Sequence, residues 1–179
     1  MPLDSTPVDF DSYLEGTIDD PGEVDEFFFT VSTPDSIIIR VAEITSALEL
    51  EVQVKDGGGE TVWGPESSSR IAIDLSLEPG EYRIVVEDSQ GDDIGDYWLT
   101  LQSWNLLLDE ALALELEVTV EDSIASYEDI RLYTFSVSEE DSLLIRLRRT
   151  SGSLYPWVEL RDSEGHRVGG ASALFSASF

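Results

Sequence analysis

The sequence contains no cysteine, one lysine and one histidine. Without cysteine the chain cannot form disulfides, thiolate metal sites or a cysteine nucleophile. No run approaches the roughly 18 apolar residues of a membrane helix, so membrane insertion is not predicted. The start has neither the basic nor the apolar region of a signal peptide, so we expect no export signal in this chain. It is compatible with a fragment of an exported protein.

Basic residues are scarce altogether, with 10 lysines and arginines against 38 acidic residues and a formal charge of -28. Such a field repels phosphate backbones and anionic lipids, so nucleic acid and membranes are not predicted as partners, and cations are favoured. The near absence of lysine is typical of halophilic proteins, whose repulsion is screened at high salt. An acidic secreted protein from an organism with a GC-rich genome is an equally open explanation.

Hydrophobic residues, at 41% of the chain, are numerous enough to build a core. They alternate with polar residues in short runs that are separated by turn residues such as Pro79-Gly80. This pattern predicts about eight strands within residues 6–104 and an all-β fold, a jelly-roll-like antiparallel sandwich. The clearest alternations begin at Val8, Val24, Leu48, Ile71, Tyr82 and Tyr97.

One strand is written twice, as Asp35–Val41 and, 106 positions later, as Asp141–Leu147. Apolar and turn residues elsewhere recur at the same offset, which predicts a tandem repeat. The second copy has no counterpart of residues 74–104, so we expect it to be incomplete and either poorly folded or completed by other strands. The predicted organisation is a lead-in (1–5), a complete module (6–104), a linker (105–111) and a C-terminally truncated module (112–179).

Four segments of the first module, residues 22–31, 50–56, 77–86 and 95–101, resemble the bacterial and archaeal pre-peptidase C-terminal domain. The resemblance implies a jelly-roll-like β-sandwich related to collagen-binding domains of clostridial collagenases. It also implies a non-catalytic accessory module, covalently linked to other domains of a secreted or surface protein. Such modules assist secretion, attachment or solubility.

The resemblance also implies a calcium site in which Asp25 matches one acidic ligand of the collagen-binding domains. The usual acidic segment upstream is missing, and Arg131 replaces Asp25 in the second copy. Carboxylates do crowd this turn, and Ca²⁺ takes six to eight oxygen ligands. A calcium site and a solvated acidic turn are therefore both open for the metal candidates Asp19, Asp20, Glu23 and Asp25.

A second acidic loop lies later in the first module and has glycines at Gly91 and Gly95. Its spacing is suited to a loop but is not that of an EF-hand, so it is a further calcium candidate beside a solvated loop. Its carboxylates are Asp88, Asp92, Asp93 and Asp96.

No catalytic constellation stands out. The glycine run 57–59 lacks the Lys-Ser/Thr and the following helix of a phosphate loop, so a hairpin turn is predicted. His166 follows the equivalent turn of the second copy, and no serine is placed to form a triad with it. No carboxylate pair is singled out as a dyad.

Two further groups have structural and functional interpretations. Arg40 and Arg146 recur in the repeat, which predicts a pairing with a carboxylate on a neighbouring strand. Six aromatic residues are candidates either for core packing or for a platform that binds sugar or peptide. They are Trp63, Tyr82, Tyr97, Trp98, Trp104 and Trp157.

The sequence therefore predicts a non-enzymatic accessory module of an extracellular or cell-surface protein, with calcium as its one candidate cofactor. Its partners would be linked domains and an extracellular matrix protein or polysaccharide. One alternative is a carbohydrate- or matrix-protein-binding module. Another is a fragment of a secreted peptidase whose catalytic domain lies outside this chain.

Overall fold

The structure is a computed structural model, and it describes residues 4–44, 48–125, 129–138, 142–153, 157–172 and 177–178. The chain forms two compact units. The first consists of residues Met1–Ala111 and Glu121–Leu132, and the second of Leu112–Val120 and Tyr133–Phe179. The module boundaries at 104 and 111 stay a prediction.

The described residues of the first unit form nine strands and one short helix. The strands are β1 (Asp4–Pro7), β2 (Ser12–Ile18), β3 (Val24–Val31), β4 (Asp35–Glu43), β5 (Leu50–Asp56), β6 (Thr61–Ser67), β7 (Arg70–Leu77), β8 (Gly80–Asp88) and β9 (Gly95–Ser103), and the helix is α1 (Trp104–Asp109).

These strands form two sheets. Sheet A has the order β1-β3-β8-β5-β6 and sheet B the order β2-β9-β4-β7. All of the pairings are antiparallel except that of β1 with β3. The all-β antiparallel sandwich predicted from the alternating pattern is confirmed.

The repeated strand β4 lies inside sheet B, between β9 and β7. Ile37, Ile39 and Val41 point into the core and are fully buried, while Ile38 on the opposite face is also buried. A strand that is apolar on both faces suits this inner position of the sheet, where both faces are covered.

The first alternating segment, by contrast, is not one strand. Val8 lies beside sheet A, and its N–H donates to the carbonyl of Phe28 at 2.8 Å. Asp11 lies beside sheet B, and its N–H donates to the carbonyl of Leu101 at 2.8 Å. Asp11 has a positive φ of 60°, which turns the chain between the sheets. The prediction of a strand that begins at Val8 is therefore wrong, because the alternation from Val8 to Leu14 crosses a turn and β2 begins only at Ser12.

The sandwich ends in α1, whose first turn is fastened to β4. Ser103 accepts the Leu106 N–H at 3.1 Å as the N-cap and donates its own hydroxyl to Asp35. The second carboxylate oxygen of Asp35 accepts the Asn105 N–H at 3.1 Å. One aspartate at the start of β4 thus binds both the end of β9 and the start of the helix.

The described residues of the second unit form three short strand pairs. These are β10 (Leu112–Ala113) with β11 (Tyr133–Thr134), β12 (Leu144–Ile145) with β15 (Ala177–Ser178), and β13 (Trp157–Arg161) with β14 (Arg167–Ser172). Residues 114–120, which align with the start of the first module, form no strand, and Glu117 has a positive φ of 66°. Of the second heptad only Leu144–Ile145 forms a strand, and Asp141 lies outside the described residues.

The hairpin β13–β14 has the geometry of β5–β6 at the offset of 106. In each copy the turn aspartate, Asp56 or Asp162, accepts two backbone N–H groups, from two and four residues further on, at 2.8–3.0 Å. Gly59 and Gly165 have the same positive φ of 86°, which glycine adopts without strain. The tandem repeat stays a prediction, and this hairpin is the part of the structure that supports it.

Candidate functional site

Two of the four predicted metal ligands around the β2–β3 turn, Glu23 and Asp25, accept hydrogen bonds from the protein itself. Glu23 Oε2 accepts the backbone N–H groups of Asp19 at 2.6 Å and Asp20 at 3.0 Å. Its own N–H donates to the Asp20 carbonyl at 3.0 Å. Glu23 therefore stabilises the turn, since a carboxylate that accepts two N–H groups fixes the backbone conformation around it.

Asp25, the fourth predicted ligand, faces the interior of the sandwich. It lies on β3 in sheet A and accepts the hydroxyl hydrogen bond of Tyr97, which lies on β9 in sheet B. Tyr97 is fully buried, and burial raises its pKa, an effect reinforced by the hydrogen bond to Asp25 and its charge. Tyr97 thus stays protonated and ties the two sheets together.

The second acidic loop is where the described residues bring three carboxylates together. Ligand oxygens of Asp88, Asp92 and Asp93 all lie within 4.8 Å of one another. Among the described residues, the set Asp19, Asp20, Glu23 and Asp25 forms no group of this kind. Calcium binding at that set stays a prediction.

Asp88 anchors the second loop at the end of β8. It is buried, and its Oδ2 accepts the backbone N–H groups of Gln90, Asp92 and Asp93 at 3.1–3.3 Å. Burial alone raises the pKa of Asp88, but these hydrogen bonds outweigh it, so the net pKa lies below the usual value. The carboxylate is therefore ionised and holds the loop closed around itself.

The fourth acid of this loop does not join the group. Asp96 instead accepts a hydrogen bond from the Thr17 hydroxyl at 2.9 Å, across the β2–β9 pairing. Asp92 and Asp93 are exposed and offer their carboxylates to solvent. Chemically the loop suits a hard cation with oxygen ligands, and water would have to complete the six to eight ligands that Ca²⁺ takes.

The aromatic candidates are dispersed in the first unit. Tyr97 and Trp104 are buried, Tyr82 stacks on Phe29 with ring centroids 5.6 Å apart, and Trp63 packs against the core. These four aromatic residues therefore pack within the first unit, in agreement with the interpretation of the candidates as core residues. In the second unit Trp157 is exposed.

Trp98 forms a stacked pair with Tyr13, which was not among the aromatic candidates predicted from the sequence. Its ring stacks on Tyr13, with centroids 6.3 Å apart and an interplanar angle of 24°. Both rings lie on the outer face of sheet B, because their neighbours along β2 and β9 face inward. Both are half-buried. The Tyr13 hydroxyl donates to Glu15 at 3.1 Å. Alternation alone indicated that both rings face outward, but the pairing required the strand register.

The predicted role of Arg40 is confirmed. Its guanidinium lies 3.3 Å from Asp74 on the neighbouring strand β7 and donates to the carbonyls of Ile39 and Ile73 at 3.0 Å. A second such pair joins Arg83 on β8 to the buried Glu26 on β3, at 3.4 Å. Its two residues are 57 positions apart, so the local sequence pattern gives no signal for this pair.

His166 lies on an exposed turn of the second unit. Its Nδ1 is 3.4 Å from Asp162 and 3.6 Å from Glu164, which are themselves turn residues.

Within the part of the chain that the structure describes, no helix is both long and apolar enough to cross a bilayer.

No protein-family model matches the sequence, and no curated protein matches it. Solved structures do. The pre-peptidase C-terminal domain of a collagenase from Bacillus anthracis matches with a TM-score of 0.50 and 16% identity, covering 57% of this chain and 98% of that domain. A periplasmic inhibitor of g-type lysozyme from Aeromonas hydrophila has a TM-score of 0.46 and 12% identity, over 56% of this chain and 96% of its own.

Sequence identities this low bear on the fold alone. The match with the collagenase domain agrees with the resemblance that segments 22–31, 50–56, 77–86 and 95–101 have to the same family. The predicted resemblance is confirmed at the level of the fold. The β-sandwich of this chain has the fold of a pre-peptidase C-terminal domain.

Proposed function

We propose that this chain is a non-catalytic accessory module of a secreted or cell-surface protein, linked covalently to other domains. The observation that carries the proposal is the fold, which covers nearly the whole of a solved pre-peptidase C-terminal domain. Such a module would assist attachment, secretion or stability outside the cell. A secreted peptidase is one kind of protein that would carry it.

The use of the carboxylates in the first unit supports a non-catalytic role. Asp25 accepts from Tyr97, Glu26 pairs with Arg83, and Asp88 accepts backbone N–H groups. A general acid or base needs a proton that it can exchange with a substrate. These three carboxylates instead hold strands and loops in place.

A hydrolase assay tests this part of the proposal. The full chain should not cleave casein, gelatin or chromogenic glycosides above the level of a heat-denatured sample. Activity that disappears on substitution of a single carboxylate, while the melting temperature is unchanged, would overturn the non-catalytic assignment.

Calcium stabilisation is the finer part of the proposal, and we assign it to the loop of Asp88, Asp92 and Asp93. Adding millimolar Ca²⁺ should raise the melting temperature, because a ligand that binds only the folded state stabilises it by mass action. Mg²⁺, which demands a tighter octahedral site, should do less.

Paired variants separate the two acidic loops. Asp92→Asn with Asp93→Asn should abolish the calcium-dependent rise, whereas Glu60→Gln, an exposed carboxylate on another loop, should leave it unchanged. A loss caused instead by Asp19→Asn with Asp20→Asn would place the ion in the β2–β3 turn. If Ca²⁺ gives no rise and no heat of binding, the module is not stabilised by calcium.

A second candidate function, binding of carbohydrate or matrix protein, is favoured by the stacked Tyr13 and Trp98 on the outer face of sheet B. Aromatic faces suit the apolar faces of sugar rings. Soluble oligosaccharides or collagen peptides should then change the fluorescence of Trp98, and Trp98→Ala should remove binding without unfolding the protein. Equal binding by that variant would exclude this face.

A further inference from the structure

The stacked rings of Tyr13 and Trp98 lie beside carboxylates on the outer face of sheet B. In the β2–β9 register Glu15 lies directly opposite Trp98, and Thr17 lies opposite Asp96. Side chains at such opposed positions share one face of a sheet, so all five residues border one area. The exposed Glu15 accepts the Tyr13 hydroxyl hydrogen bond at 3.1 Å, which holds its carboxylate next to the ring pair. Aromatic rings and negative charge therefore meet at one place.

The bases on this face of the sheet do not neutralise that charge. Arg40 lies on β4, next to β9, but its guanidinium pairs with Asp74 on β7 and donates to two backbone carbonyls. Arg70 lies on β7, which β4 separates from β9, so its backbone is about 10 Å from that of β9. Within the described residues, the Tyr13 hydroxyl is the one side-chain donor to the Glu15 carboxylate. That carboxylate can therefore accept a further, charged donor.

Part of each ring meets solvent, because Tyr13 and Trp98 are only half-buried. The face of an aromatic ring carries negative charge density and attracts cations, and indole does so most strongly. A guanidinium is planar, so it stacks on a ring and donates to a carboxylate at the same time, which an ammonium does less well. The chain as a whole carries a formal charge of -28, which draws cations towards it. The ring faces, the local carboxylate and the overall charge all favour an arginine side chain as the ligand.

We propose that Tyr13, Trp98 and Glu15 bind an arginine side chain of a partner polypeptide. The guanidinium lies against the ring pair and donates to the Glu15 carboxylate. This inference rests on the second candidate function, because it names the group that the same face would bind. A neutral sugar would stack on the rings but gain nothing from the charge of the chain, and an acidic polysaccharide would be repelled by it. The partner is therefore a polypeptide with exposed arginines.

Nuclear magnetic resonance titration of the full chain tests the proposal with two peptides of similar shape. One is acetyl-Gly-Arg-Gly-amide, and the other has citrulline, which is close to arginine in shape but carries no charge. The arginine peptide should shift the indole N–H signal of Trp98 and the backbone amides of residues 13–17 in a saturable manner. Its affinity should exceed that of the citrulline peptide about fivefold, because a cation over an indole face contributes a factor of roughly 2 to 30.

Matched variants locate the binding. Trp98→Leu removes the indole face and keeps the charge, and Glu15→Gln removes the charge and keeps the rings. Each should weaken binding of the arginine peptide about threefold, as followed at the amides of residues 13–17. Glu60→Gln, which removes the same charge from the exposed β5–β6 turn, should leave the affinity unchanged. The comparison of the two peptides uses the wild-type chain alone, so it does not depend on any variant folding.

Equal affinities for the two peptides would overturn the proposal, as would shifts that spread over the acidic surface and leave Trp98 unaffected. Cellohexaose, a neutral oligosaccharide, is the third probe. If it shifts the Trp98 signal and the arginine peptide does not, the face binds sugar, so the second candidate function stands and the arginine assignment fails. If none of the three probes shifts this signal, the arginine assignment and the second candidate function fail together.

Discussion

Replacing Gly16 by alanine is predicted to destabilise the sandwich because the added methyl group meets the ring of Tyr97. An ideal Cβ at this position would lie 2.3 Å from Cζ, 2.5 Å from Oη and 2.8 Å from Cε1 of that ring. Tyr97 is fully buried and bonded to Asp25 on the other sheet, so the ring has no room to move aside.

The magnitude follows from two opposing terms. Overpacking a core costs about 1 to 3 kcal/mol. Alanine in place of a strand glycine otherwise gains roughly 0.5 to 1 kcal/mol. The expected net loss for Gly16→Ala is therefore about 1 kcal/mol, within a range of roughly 0 to 2.5 kcal/mol, and a loss of about 1 kcal/mol corresponds to a fall of several degrees in melting temperature for a sandwich of this size.

A second background makes the prediction specific to Tyr97. In a Tyr97→Leu chain the colliding ring atoms are gone, so Gly16→Ala should become stabilising by roughly 0.5 to 1 kcal/mol. Urea unfolding followed by tryptophan fluorescence measures all four chains of this double-mutant cycle. Gly80→Ala is the matched control, because its Cβ would lie 3.4 Å from the nearest atom of Tyr82, an ordinary contact. If Gly16→Ala has the same effect in both backgrounds, the contact with Tyr97 is not the cause.

Three further predictions concern acid, the helix and salt. Because the pKa of Asp88 in the folded state lies below 3.8, its ionised carboxylate stabilises the fold above that pH, and the contribution is lost as the pH falls through the folded value. Asp88→Asn should therefore cost about 1 to 3 kcal/mol at pH 7 and flatten the acid limb of a stability-against-pH curve; an unchanged limb would contradict this. Ser103→Ala removes the N-cap of α1 and the bond to Asp35, so urea unfolding should show a loss of about 1 kcal/mol, whereas Ser76→Ala, at an exposed position on β7, should cost less. Raising NaCl to about 1 M shortens the Debye length to about 3 Å, so the melting temperature should rise if repulsion within a chain of charge -28 limits stability, and a flat response would exclude that.

The alternation of apolar and polar residues correctly predicted the strands that have one face in the core and the other face towards solvent. Ile71 and Ile73 on β7, and Val52 and Val54 on β5, are buried where the pattern placed them. It failed between Val8 and Leu14, because alternation continues through a turn that is produced by one positive φ. Alternation reports which side of the local chain is apolar, and a change of sheet alters neither the period nor the composition.

The candidate sites divide in the same way. Asp88, Asp92 and Asp93 are close in sequence and on one loop, so proximity was predictable. The bond between Tyr97 and Asp25 joins residues 72 positions apart on different sheets, and it depends on how the sheets stack. The sequence could therefore identify Asp25 as a candidate metal ligand, but it could not predict that the Tyr97 hydroxyl donates a hydrogen bond to its carboxylate.

The attachment of α1 to Asp35 has a mechanical consequence. Asp35 begins β4 and holds both the last residue of β9 and the first turn of the helix, so it closes one end of the β4–β9 ladder. Tension applied to the chain after residue 111 would act on the hydrogen bonds of Asp35 before it acted on the hydrogen bonds between β4 and β9. The force would be shared between two inner strands of sheet B, and β9 could not peel away from its end one hydrogen bond at a time. If this chain links other domains, as we propose, Asp35 would pass tension on that linkage to two paired strands instead of one.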